Sequence, residues 1–290
     1  MVEGFITGLH RSPYHGFSVE FAEHRHYNPG EPTRHIDWKL YGRTDKLFIK
    51  RYEEETNLRA QFIIDTSSSM LFPNPERKAT SKLFFSVYTA AAMMRLLRRQ
   101  RDAVGLTLFS SDIELTTPAK VSTVHGQSLF AEMMNLLART GPSQVKENLN
   151  RPTNAAVVMH QLAEMYPKRS LVILFTDMLD ASDPDELFSA LRHFRYNKHE
   201  VILFHVKDHK LEESFDFPNR PHRFVDMETG RSILVNPAEI RTRYREKISE
   251  YFSDIKLRCG QYDIDFVEAD IREDFREVLL PLLIKRQKLF

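Results

Sequence analysis

The chain has 290 residues, enough for a large α/β domain or for one domain with a smaller appendage. Its 41 lysines and arginines almost balance 40 aspartates and glutamates, so it lacks the basic excess expected of a nucleic-acid binder. The single cysteine, Cys259, excludes an intrachain disulfide and suits a reducing compartment. Met1-Val2-Glu3-Gly4-Phe5 carries no basic and apolar leader pattern. The longest uncharged helical stretch, Leu83 to Met94, is 12 residues, too short for a bilayer span. A soluble, cytoplasmic protein is expected.

Residues 1–58 read as short strands and turns rather than long helices. They hold five of the 12 histidines (His10, His15, His24, His26, His35) and the only tryptophan, Trp38. Asn28-Pro29-Gly30-Glu31-Pro32 is a turn signature. Arg25, Arg34, Asp37 and Glu53 could form an ion-pair lattice with Trp38 as an apolar anchor, or remain an ordinary solvated surface. His24 and His26 would share one strand face, but without a third ligand zinc is not expected.

From Arg59 onward apolar strands alternate with amphipathic helices, the pattern of a mostly parallel sheet covered on both faces. Strands are predicted at about 59–65, 103–109, 112–117, 170–176, 200–206 and 262–268, the second and third forming an antiparallel edge hairpin. In a helix around 78–101, Leu83, Phe84, Val87, Ala91 and Met94 recur at helical spacing. Asp183-Pro184-Asp185-Glu186 starts another helix, and Asp270 with Glu273 starts the last, where Pro281 introduces a kink. A helix around 238–258 is closed by Gly260. Between the fifth strand and that helix, an inserted hairpin at about 209–236 pairs Arg223–Asp226 with Ser232–Val235. The fold class is therefore α/β, a doubly wound Rossmann-type sheet. It comprises an N-terminal extension (1–58) packed on a core domain (59–290) with a β-hairpin insertion.

The chemistry concentrates after the first core strand, where Phe62-Ile63-Ile64 delivers Asp65, Ser67 and Ser69 at alternate positions into a tight turn. Such oxygen donors suit a hard divalent cation, Mg²⁺ or else Mn²⁺ or Ca²⁺. In a doubly wound sheet, loops at the carboxyl edge gather around the ligand site. Asp177, after Leu171–Thr176, and Thr153, opening the helix from Asn154, would join them there. Hydroxyls bind the cation without neutralising it, and the carboxylates can orient bound waters. The same residues also serve as turn formers and helix caps, so each taken singly is open to that reading.

Asp65-x-Ser67-x-Ser69, then Thr153, then Asp177 resembles the metal-ion-dependent adhesion site of von Willebrand factor A domains. Two flanking positions depart from that family's common glycines: Arg151-Pro152 precedes Thr153, and Met178 follows Asp177. The ordered N-terminal set His10–Gly16, Arg25–Glu31, Arg34–Trp38 and Leu47–Glu55 adds a second resemblance. With Asp226–Gly230, the Tyr244 helix and the final arginine-containing helix, it is similar to the bacterial family known as domain of unknown function number fifty-eight. That resemblance implies a von Willebrand A-like core working as an adaptor or assembly factor with a MoxR-type AAA+ ATPase.

The expected function is a non-catalytic, metal-dependent protein-interaction module whose partner is such an ATPase or its client. A metal-dependent phosphoesterase or hydrolase is the alternative, although the turn reads Asp-x-Ser rather than Asp-x-Asp. No Gly-x-x-x-x-Gly-Lys-Ser/Thr loop or Gly-x-Ser-x-Gly elbow occurs. A structural interaction protein with a vestigial metal site is the third possibility.

Overall fold

The computed structural model describes residues 19–28, 33, 36–54, 58–73, 81–140, 154–179 and 184–288. The chain divides into two compact units, one of Arg11–Asn57 and a larger one formed by the rest.

In the smaller unit, β1 (Val19–His26), α1 (Trp38–Thr44) and β2 (Phe48–Glu54) follow one another. β1 and β2 pair antiparallel, with His26 opposite Phe48 and their rings stacked 4.5 Å apart. Asp37 starts α1 by accepting from the backbone N–H groups of Lys39 and Leu40, the usual work of an N-cap carboxylate. It therefore caps a helix. The side chains of Arg25, Arg34 and Glu53, its expected ion-pair partners, lie outside the described residues, as does that of His24. Trp38, expected to be an apolar anchor, is 59% exposed, with its ring edge-on to Tyr41.

The larger unit contains β3 (Arg59–Asp65), α2 (Lys82–Arg99), β4 (Ala103–Phe109), β5 (Ile113–Lys120) and α3 (Thr123–Arg139). Next come α4 (Ala155–Met165), β6 (Leu171–Thr176), α5 (Pro184–Tyr196) and β7 (Glu200–Lys207). The chain then runs through β8 (His222–Val225), β9 (Ser232–Val235), α6 (Pro237–Gln261), β10 (Asp265–Asp270) and α7 (Phe275–Lys288). The six-stranded sheet has the order β10-β7-β6-β3-β4-β5. All neighbours are parallel except β4 and β5, which close one edge as the expected antiparallel hairpin. β5 carries Pro118. β8 and β9 form the separate hairpin.

Strand alternation divides the core in two. Phe62 and Ile64 face a cluster with Leu83, Met94, Leu129 and Leu282, so α2, α3 and α7 cover that side. Ile63 faces Met159, Leu162, Leu191 and Ile255, so α4, α5 and α6 cover the other. Helices on both faces of a mostly parallel sheet make this a doubly wound α/β fold.

Local signals shifted some boundaries. α2 begins at Lys82 because Ser81 caps it, accepting from the Phe84 N–H. The last helix is capped by Asp274, which accepts from the Arg276 N–H. Asp270 instead ends β10 and accepts from Arg272. Gly260 lies inside α6, which continues to Gln261. The sequence reading also omitted α3, whose Gly126 lies where a Cβ would come 2.1 Å from the Arg98 guanidinium carbon.

Candidate metal centre at the strand crossover

β3 is followed by β4 on one side in the sheet, while β6 lies on its other side. The connection after β3 runs to α2 on one face and that after β6 to α5 on the opposite face. Between the carboxyl ends of β3 and β6 the two loops part, leaving the crevice where doubly wound sheets hold ligands. Asp65 ends β3 and Thr176 ends β6.

The turn after β3 folds through a short 3₁₀ segment, Ser68–Leu71. The Asp65 carboxylate accepts from the Ser67 backbone N–H at 2.9 Å and from the Thr176 hydroxyl at 2.8 Å. The Ser67 and Ser69 hydroxyls hydrogen-bond each other at 3.1 Å, and the Ser67 side chain helps to favour the charged form of Asp65. The Ser69 side chain in turn helps to hold the Asp177 carboxyl low. Asp65, Ser67 and Asp177 are all buried. Four of the five residues singled out from the sequence, Asp65, Ser67, Ser69 and Asp177, thus form one continuous cluster. The fifth, Thr153, lies outside the described residues; its neighbour Asn154 donates its backbone N–H to Ser110 O, in the loop after β4.

Asp177 is followed by Met178 at φ 55°, the left-handed region that glycine enters without steric cost. Here a buried methionine occupies it. The Thr176 hydroxyl accepts the Met178 N–H at 3.2 Å and Tyr251 donates to the Met178 carbonyl. These two bonds and the apolar packing of the side chain hold a conformation that glycine would adopt freely.

Lys82, at the first position of α2, is fully buried. Its ammonium donates to Asp177 Oδ2 at 2.6 Å and to Glu212 Oε1 at 2.7 Å. Glu212 sits in a single π-type turn, His209–Glu213, after β7. Its other oxygen accepts from the Asp208 N–H, while the Asp208 carboxylate takes a bidentate pair from Arg272. Glu212 also lines an apolar cleft of about 270 Å³ with Phe72, Leu211, Phe215 and Tyr244. Neither Lys82, Glu212 nor Thr176 was singled out from the sequence.

The charges respond to this packing. Burial, followed by the nearby Asp177 charge, pushes the Asp65 carboxyl up to about 7. Burial also works to raise Asp177, but the Lys82 charge and hydrogen bond outweigh it and hold that carboxyl below its usual range. Burial raises Glu212 despite Lys82. Lys82 itself is held above its ordinary value because its two carboxylates overcome the cost of desolvation.

The donor set can be compared with the size of a small divalent cation. Mg²⁺ takes oxygens octahedrally at about 2.0–2.1 Å, which puts adjacent ligands about 3 Å apart. The 3.1 Å between the Ser67 and Ser69 hydroxyls matches that edge. Among the described residues no group of three or more His, Cys, Asp or Glu side chains is arranged to hold a metal. A cation here would depend on the hydroxyls.

The family model described as "Protein of unknown function DUF58" matches residues 23–251. The chain belongs to this DUF58 family. Uncharacterized proteins of Mycobacterium tuberculosis (Rv1480) and Mycobacterium bovis (Mb1516) are each 22% identical to the DUF58 chain over 237 residues, covering 82% of it and 70% of each relative. Solved structures similar to it include the conserved hypothetical protein BatB of Bacteroides thetaiotaomicron. That likeness has a TM-score of 0.44 at 13% identity, over 80% of the DUF58 chain and 98% of BatB. An aerotolerance-related membrane protein of Bacteroides fragilis, carrying multiple mutations to serines, gives 0.47 at 14% identity over 80% and 99%. Among the described residues of the DUF58 chain, no helix is long and apolar enough to cross a membrane.

Proposed function

We propose that this DUF58 protein is a non-catalytic interaction module that takes a partner's carboxylate through a divalent cation held at the Asp65 turn. The reading rests on one observation: two hydroxyls at octahedral-edge spacing beside Asp65, in the crevice between β3 and β6. Asp65, Ser67 and Ser69 would hold Mg²⁺ or a related ion, with Asp177 and Thr153 completing the set. When bound, such an ion supplies an electrophilic position that an incoming Asp or Glu can occupy. The partner is proposed to be a MoxR-type AAA+ ATPase or its client, a choice that rests on the family resemblance. The proposed location is the cytoplasm.

The test is affinity capture by the intact chain with Mg²⁺ or with EDTA, paired with calorimetric Mg²⁺ titration. Mg²⁺ binding and partner retention are expected to be lost together in Asp65→Ala. Capture that survives in a variant unable to bind Mg²⁺ would refute the metal bridge. Metal-dependent turnover of a phosphoester, abolished by Asp65→Asn, would establish the hydrolase alternative instead.

One observation favours a metal-free second reading: Lys82 already sets a positive charge against Asp177. Under that reading, saturating Mg²⁺ or Mn²⁺ leaves the turn empty in soaked crystals.

A further inference from the structure

Lys82 breaks two rules at once. A lysine is almost never fully buried, and a cation at the start of a helix opposes the helix dipole. Such local conflicts concentrate at functional sites. Its ammonium is held by Asp177 and Glu212, and the buried Asp65 lies close enough to Asp177 to feel its charge, so the cluster holds three carboxylates and one ammonium. The adjoining Asp208 is cancelled by Arg272. With every group ionised the cluster therefore carries two uncompensated negative charges. A divalent cation brings that sum to zero. Removing Lys82 would leave three.

We propose that Lys82 is a built-in counter-charge that matches the Asp65–Ser67–Ser69–Asp177 centre to a divalent cation, with Glu212 as the opposing member that sets the balance. This rests on the metal-centre reading given above. Lys82 also occupies an oxygen of Asp177 that would otherwise be free to turn toward a metal, so Asp177 is held as an outer, orienting carboxylate. In a site of low dielectric, each added negative charge strengthens cation binding, most for ions of highest charge.

Four full-length proteins test this: the natural sequence, Lys82→Met, Glu212→Gln and the double variant. Mn²⁺ binding is read by electron paramagnetic resonance and Tb³⁺ binding by sensitised luminescence, with circular dichroism to check folding. Lys82→Met should bind Mn²⁺ at least about tenfold more tightly, and Tb³⁺ more tightly still, because one repulsive charge is gone. Glu212→Gln should bind more weakly, and the double variant should return close to the natural affinity. If Lys82→Met does not fold, the comparison of Glu212→Gln and the double variant with the natural protein carries the test. Mn²⁺ binding with no such order overturns the counter-charge while leaving the metal centre intact. Absence of Mn²⁺ binding in the natural protein and in every folded variant overturns both.

Discussion

The Thr176 hydroxyl donates to Asp65 Oδ2 at 2.8 Å, joining the ends of two adjacent parallel strands through a buried hydrogen bond. The Thr176 hydroxyl oxygen also accepts from the Met178 N–H, so one side chain orders both loops of the crevice. Thr176→Val keeps the shape and removes the donor. Leaving a buried carboxylate oxygen unsatisfied is expected to cost about 1–3 kcal/mol, measured by urea unfolding. Thr176→Ser should recover most of the loss.

Asp102 supports the opposite end of the sheet, accepting from the Leu58 N–H at 3.1 Å. Burial pushes its carboxyl up to about 7, against an ordinary 3.8. The folded state therefore favours the protonated form, and this stabilisation is fully present below pH ~4 and lost as pH rises through about 7. Asp102→Asn keeps the acceptor and removes the charge. Its thermal midpoint should match the natural protein near pH 4 and exceed it increasingly toward pH 8.

His205 on β7 behaves in the reverse sense. It lies between the rings of Phe252 and Phe266, and neither ring nitrogen has a hydrogen-bond partner among the described residues. Burial, then the nearby Lys207 charge, lowers it from 6.5 to about 4. Neutral histidine supports the fold above pH ~6.5, and that support is lost as pH falls through about 4. His205→Leu should raise the midpoint at neutral pH by removing unsatisfied polar atoms, and the gap should widen between pH 6.5 and 4. A constant gap would refute the titration.

Gly105 lies where β4 meets β5 closely. A Cβ there would fall 2.2 Å from Gln61 Oε1 and 2.6 Å from both Ala119 N and Thr117 O. Two of these atoms are backbone, so β5 must shift. Gly105→Ala should cost about 1–3 kcal/mol, and faster amide exchange should be confined to β5 and its neighbours.

How far the sequence was readable follows from the range of each interaction. Phe62-Ile63-Ile64 and Leu171–Phe175 announce buried parallel strands by composition alone, and a doubly wound order then brings Asp65 and Asp177 to one edge. Lys82 could not be read the same way. Beside Ser81 at a helix start it resembles an ordinary solvated residue, and its partners lie 95 and 130 positions away. Thr176 was read only as the end of a strand, since its hydroxyl acquires meaning once β3 is its neighbour. α3 escaped because Gly126 lowers its helical signal, and the side chain that lies over that glycine, Arg98, belongs to another helix.

Pro118 has a consequence for how this molecule meets others. It lies in the outermost strand of the sheet and has no N–H to offer, which makes that margin a poor template for an additional strand. The opposite margin, β10, is guarded by charge: Glu268 on it is paired with Lys207 and Lys256. Both flanks of the six-stranded sheet thus discourage ribbon-to-ribbon stacking of copies through it.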